Sequence, residues 1–247
     1  MMGPDYSNFT ARPQLSEDVA RHVRRRIFEG TYSAGAYVRL EQLAAELGVS
    51  VTPVREALLG LTAEGLLVQQ PHRGFAVLPV TGQDIADVSG VQAHIGGELA
   101  ARAASTITDE QLLELKSIQA QLEDAYDQED HERAVRLNHE FHRAVNVAAD
   151  SPKLSQLMGQ ITRYAPEAVF PTVEGWPAQS VKDHRRVIAA LEHGDGERAR
   201  AAMAEHFVAG VAPLVEHLVE QGVVDHAERP SSHGRPSRGR PSRGRRR

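Results

Sequence analysis

Apolar residues change their spacing along the chain, and each change marks a different element. After Leu15, the residues Val19, Val23 and Ile27 recur every fourth position, the spacing of one face of an amphipathic helix. Arg21, Arg24, Arg25 and Arg26 fall on its other faces, Gly30 ends it, and residues 32–35 read as a turn. Leu40, Leu43, Ala44 and Leu47 give a short second helix stopped by Gly48. Ser50 then caps a third helix to about Glu64, with Val54, Ala57, Leu58 and Leu61 inward. Pro53 lies in its first turn, where a missing N–H is harmless. Two short β-like runs, 66–70 and 75–78, flank a Pro-His-Arg-Gly turn at 71–74. Beyond Pro79 the pattern is nearly continuous helix, predicted over 82–105, 108–127, 130–149, 151–165, 179–193 and 196–221. Pro152, Pro166, Pro171 and Pro177 fall between or at the ends of these segments.

The expected architecture is therefore mainly α, in two domains. Residues 15–79 form helices with a small β-hairpin, and residues 80–228 form an all-α bundle of six to seven helices. A loose arm, 1–14, precedes them, and a tail, 229–247, follows. The tail repeats Gly-Arg-Pro-Ser-Arg twice, has nothing to bury and is expected to be disordered.

Composition narrows the chemistry. The 247 residues are 41% hydrophobic and 25% charged, enough for real cores. No cysteine is present, which excludes disulfides, a thiolate metal site and a cysteine nucleophile. No apolar run is long enough for a membrane span and no secretory signal is evident, so a cytoplasmic protein is expected. The net charge of −5 conceals an asymmetry: the tail carries eight arginines and no acid, and removing those charges leaves −13. Any contact of so acidic a body with nucleic acid has to come from a local basic surface; the tail itself reads either as a solubilising end or as a salt-sensitive DNA contact.

The segment 40–58 supplies such a surface. Two short helices meet across Gly48, which is free to adopt the left-handed turn, and the second presents its N-terminal residues as a recognition helix does in the major groove. Ser50 and Thr52 are able to donate to phosphates or bases, Arg55 to guanine, and Arg73 at the hairpin tip to backbone or minor groove. The motifs at 40–44, 47–50, 52–58 and 64–66, with Arg73-Gly74, resemble the GntR family of winged helix-turn-helix repressors. The resemblance implies a DNA surface made of Arg39, Ser50, Thr52, Pro53, Arg55, Glu56, Arg73 and Gly74. The family usually has arginine directly after the serine, whereas this chain has Val51, which implies a different operator reading there. Arg39 and Arg24 to Arg26 are candidates to restore the missing charge.

In the helical region, the question is which of the histidines face inward. Asn138 and His142 share one helical face, bordered by Val135, Val145 and Ala149. His184 precedes Val187, Ile188 and Leu191 on a buried stripe, and His206 lies between Met203 and Ala209 on another. His139 reads as surface and His193 as a C-terminal cap. Three helices each turning one imidazole inward suit a divalent ion, although a lone buried histidine is ordinarily a core residue. The region resembles the ligand-binding domain of the FadR subfamily, through Asn138-His-Glu-Phe-His142, the stretch from His184 to Asp195, and Met203-Ala-Glu-His206. The resemblance implies a zinc or nickel ion held by Asn138, His142, His184 and His206.

Two departures from that pattern matter. Asn138 replaces the commoner aspartate, which leaves the site more positive and suited to an anionic effector. Gln92 and Gly96 stand where arginine and glutamate are usual, so Gln92 and Arg163 are the candidate effector contacts.

The expected function is a ligand-responsive transcription regulator, a repressor, binding a double-stranded operator as a homodimer and sensing a small carboxylate, without a membrane partner. Two alternatives stand beside it. One is a regulator whose histidine cluster is only structural and whose effector binds without metal. The other is a metal-dependent enzyme acting on a small organic acid, which is disfavoured because Glu140 is turned roughly 200° from Asn138 on a helical wheel and no general base is placed.

Overall fold

The structure, a computed structural model, describes residues 13–71 and 73–224. Most of the expected arm, the whole tail and the last residues assigned to the bundle therefore lie outside the described residues. Helix α1 (Pro13–Phe28) starts the described chain, two residues earlier than expected, and buries Val19, Val23 and Ile27 as their spacing requires. Helices α2 (Leu40–Leu47) and α3 (Val51–Ala63) meet across Gly48, whose φ of 67° is the left-handed conformation the bend needs. Ser50 occupies the N-cap of α3 with extended backbone, although its side chain makes no capping hydrogen bond. Strands β2 (Leu67–Gln70) and β3 (Gly74–Val77) form the wing.

A third strand, β1 (Tyr37–Val38), pairs antiparallel with the other edge of β3, so the expected hairpin is a three-stranded sheet of order β1-β3-β2. Two residues carry no periodicity, and β1 exists only because β3 offers an edge. Gly74 makes that pairing feasible: its φ is 98°, and a Cβ there would lie 2.8 Å from the Val38 carbonyl oxygen.

The helical domain comprises α4 (Gly82–Thr106), α5 (Asp109–Asp127), α6 (His131–Ala148), α7 (Pro152–Ile161), α8 (Trp176–Glu192), α9 (Gly196–Ala209) and α10 (Val211–Glu220), with 3-10 turns at Thr162–Tyr164 and Phe170–Thr172. Capping boxes at Thr81/Asp84 and Thr108/Gln111 begin α4 and α5. The single helix expected over 196–221 is instead broken at Gly210. Pro213 has no N–H to give, and its ring opposes the carbonyl one turn back. At Gly210 the Phe170 and Trp176 rings come so close that a Cβ would meet them at 2.8 and 2.9 Å. The segment expected as helix over 151–165 likewise ends its α-helical part at Ile161.

Helix α4 is the centre of the bundle and packs closely along α9. The pair Gly96-Gly97 permits this: a Cβ at Gly96 would fall 2.6 Å from Phe207 Cε2, and one at Gly97 3.1 Å from the Arg200 carbonyl oxygen. One hydrophobic core fills the bundle around Leu99, Leu115, Leu122, Phe141 and Met203. The other spans both domains, joining Val23, Leu58 and Phe75 of the N-terminal domain to Trp176, Leu214 and Leu218.

Candidate functional site

The residues expected to face DNA lie on or beside α2, α3 and the wing. Arg39, Ser50, Thr52, Arg55, Glu56 and Arg73 are exposed, while Pro53 is buried and serves the start of α3 rather than a contact surface. Arg39 and Arg73 line one open groove with Tyr37, Glu41 and Gly74, so two cations from separate elements share a face. Two of the arginines expected to restore the charge missing at Val51 are occupied elsewhere. Arg24 is 7% exposed and grips both oxygens of Glu64, at the C-cap of α3, with contacts of 2.8–3.0 Å. Arg26 pairs with Glu46 at 2.8 Å. Both ion pairs hold the helices together; of Arg24, Arg25 and Arg26, Arg25 is the exposed one, 3.8 Å from Glu29, and Arg39 is exposed as well.

In the bundle, three helices converge on one point. Helix α6 supplies Asn138 and His142, α8 supplies His184, and α9 supplies His206. The His142–His184, His142–His206 and His184–His206 ring centroids lie 5.1, 5.1 and 4.7 Å apart. One nitrogen from each falls within 4.8 Å of the others. Phe141 stacks on His184 at 3.8 Å and walls the cluster from solvent. Burial, reinforced by the neighbouring imidazoles, holds His142 and His184 well below the ordinary histidine range, so both present neutral lone pairs at neutral pH.

The cluster is unsatisfied. Among the described residues, six buried side-chain nitrogen or oxygen atoms have no hydrogen-bond partner. Four of them are Asn138 Oδ1, His142 Nδ1, His184 Nε2 and His206 Nδ1. A buried polar atom without a partner costs about 1–3 kcal/mol, so four at one place call for an occupant. Three imidazoles and an amide oxygen are a donor set suited to a divalent ion such as zinc or nickel. Asn138, His142 and His206 also line a narrow cavity with Gln92, Trp176 and Phe207. Its free volume is about 40 Å³, enough for a very small ligand.

Two polar groups around the cluster escaped the sequence reading. Asp183, buried beside His184 in sequence, faces His206 with an oxygen 3.8 Å from Nδ1 and accepts from Gln179 at 2.9 Å. Burial pushes its carboxyl up, but His206, Gln179 and Arg186 together outweigh this and hold it below the ordinary range. Gln119 of α5, 3% exposed, places Oε1 2.9 Å from His184 Nδ1. The available signal was a glutamine set into the buried stripe Leu115, Ile118 and Leu122.

Of the two candidate effector contacts, Gln92 is buried and lines the cavity. Arg163 does not line it: its side chain is 52% exposed and lies 3.5 Å from Glu17 of α1. It points away because the 3-10 turn Thr162–Tyr164 turns the chain over the cavity, putting Tyr164 rather than Arg163 in the wall. His139 is exposed and lies 3.7 Å from Glu167, and His193 closes α8 through the Ala189 carbonyl at 2.7 Å.

Residues 15–77 match the model of bacterial regulatory proteins of the gntR family, and residues 87–209 match the FCD domain. The chain is 26% identical to the HTH-type transcriptional regulator McbR of Escherichia coli (strain K12) over 209 residues, 82% of this chain and 93% of that protein. It is 25% identical to the HTH-type transcriptional repressor RspR of the same organism over 199 residues, covering 78% and 85%. The solved structure of E. coli McbR/YncC superposes with a TM-score of 0.68 at 26% identity, covering 82% of this chain and 98% of that one.

Proposed function

The chain belongs to the GntR family of bacterial regulators, in the FadR-type branch that joins its helix-turn-helix to an FCD domain, and on that premise we propose a metal-containing repressor that senses a small carboxylate. It is a DNA-binding transcriptional regulator, and its relatives are regulators rather than enzymes. In the proposal it acts in the cytoplasm as a homodimer, because one recognition helix reads too few bases and two half-sites supply the specificity. Ser50, Thr52 and Arg55 of α3 meet base edges and phosphates, and Arg39 and Arg73 flank them.

The observation that carries the sensing half is the set of four unpartnered buried atoms on Asn138, His142, His184 and His206. These residues hold a divalent ion, zinc or nickel. Bound there, the ion supplies positive charge that the neighbouring Asp183 carboxylate offsets only in part, and so favours an anion. Gln92 donates to that anion from α4, and Trp176 and Phe207 exclude water.

The cavity's small volume gives the coupling its physical form. A carboxylate larger than a few atoms must displace a wall, and the wall built by Tyr164, Ala165, Pro166 and Glu167 directly follows Arg163, which is tied to α1 of the reading domain. Movement there biases the placement of α3. A differential affinity of about 1–3 kcal/mol between two states is ordinary for such coupling.

The test is metal analysis of the purified full chain, with melting before and after chelation. About one ion per chain and a lower melting temperature after chelation are expected. Absence of bound metal, together with no stabilisation by added zinc or nickel, would mean that the cluster is structural only.

A further inference from the structure

Gln119 supplies no ligand to the cluster, yet its position assigns it a role there. Resting on the metal reading above, we infer that Gln119 is a positioning residue: through a hydrogen-bond relay from the surface, it fixes the His184 tautomer that turns a lone pair towards the ion.

The relay starts at Arg185 on α8, whose Nε and one terminal nitrogen donate to the two oxygens of Glu123 at 3.0 and 2.6 Å. Glu123 Oε1 also accepts from Gln119 Nε2 at 3.0 Å, one turn back on α5. Gln119 Oε1 then lies 2.9 Å from His184 Nδ1. Each role follows from the one before. A guanidinium only donates, and an ionised carboxylate only accepts. The amide group facing Glu123 must therefore be the NH2, which leaves the amide oxygen facing His184. An oxygen only accepts, so Nδ1 must carry the ring proton. Nε2 is then the lone pair, and Nε2 is the buried atom left without a partner in the cluster.

Without the relay, the two neutral tautomers would compete, and the one protonated at Nε2 cannot bind a metal through that atom. Partners of this kind fix the orientation and basicity of a ligand histidine, and their loss typically weakens metal binding about 10–100-fold. The arrangement also explains why a glutamine occupies the buried stripe of α5 among Leu115, Ile118 and Leu122.

The test reads the tautomer directly in the metal-free full chain, by two-bond 1H–15N correlation after 15N-histidine labelling. His184 is expected as the Nδ1–H form. Gln119→Leu should convert it to a mixture or to the Nε2–H form, and should weaken zinc binding about 10–100-fold in competition with a chelator. Gln119→Glu keeps an acceptor and should restore the Nδ1–H signal, which a purely packing role would not predict. Glu123→Ala leaves the core intact and serves if Gln119→Leu does not fold: with no carboxylate to take the NH2, the Gln119 amide presents either group to His184, so the His184 signal should become a mixture. An Nε2–H tautomer in the native protein would overturn the inference, as would a tautomer and zinc affinity unmoved by these variants. A native Nδ1–H signal in a chain that binds no zinc would instead overturn the metal reading and leave the tautomer assignment standing.

Discussion

Arg55 is the exposed arginine of α3, and in the proposed interface it is the side chain of that helix best suited to a bidentate base contact. Arg55→Ala should weaken binding to a selected duplex by about 1–3 kcal/mol, the worth of a bidentate base contact, while the melting temperature stays put; an unchanged footprint would remove Arg55 from the interface. His22 on α1 supplies a pH signature. Burial, then the charges of Arg26 and Arg25, lower its pKa from 6.5, against the smaller opposing effects of Glu46 and Glu29. The unfolded chain therefore takes up a proton as the pH falls through 6.5, at a higher pH than folded His22 does, so stability is lost on acidification from that point until folded His22 is protonated too. Melting curves from pH 7.5 to 5.5 should show that loss, and His22→Leu should reduce it; an equal slope in the variant would show that His22 is not its source. Gly74 is bound by backbone geometry instead: with φ at 98° and Val38 oxygen at 2.8 Å from a would-be Cβ, Gly74→Ala should destabilise the wing by about 1–3 kcal/mol.

At the scale of elements, buried ion pairs and close helix contacts fix how the reading helix is held. Arg24 and Glu64 tie α1 to the end of α3. Glu64→Ala leaves a nearly buried guanidinium without its acceptor and should cost about 1.5–3 kcal/mol in chemical denaturation; a midpoint unchanged from the parent would mean that water replaces the carboxylate freely. Such ties also mark where the sequence stops being readable. The bend at Gly48, the wing and the three inward histidines were legible because each rests on local spacing: a left-handed glycine, a turn between two short runs, and a histidine set among aliphatic residues at helical intervals. The β1 strand and the pairing of Arg24 were not, because each depends on a partner distant in sequence; the break at Gly210 had a local signal in Pro213, reinforced by the distant rings of Phe170 and Trp176. The same holds for Gln119 and Asp183, whose relation to the cluster appears only when α5, α8 and α9 are packed together. Arg163 was misplaced for a related reason, since nothing in the local pattern tells which side of a 3-10 turn faces the cavity.

For the whole molecule, the two domains share a hydrophobic core and an ionic path. Arg163 lies over the cavity wall 3.5 Å from Glu17, Glu17 lies 3.9 Å from Arg24, and Arg24 grips Glu64 at the end of α3. The half-exposed Arg163–Glu17 pair adds little to stability, so Arg163→Gln, which spares the contact of Glu17 with Arg24, should leave melting nearly unchanged while reducing the effect of ligand on DNA affinity. In the proposed function the bundle biases the reading helix through an ion and a carboxylate bound beside it. The most direct measurement is the affinity of metal-stripped and zinc-loaded protein for a duplex selected by the protein itself, across a panel of small carboxylates. At least one carboxylate should shift the affinity of the zinc-loaded protein by roughly 5–150-fold and leave that of the stripped protein unmoved. An equal shift in both forms, or none in either across the panel, would contradict the account.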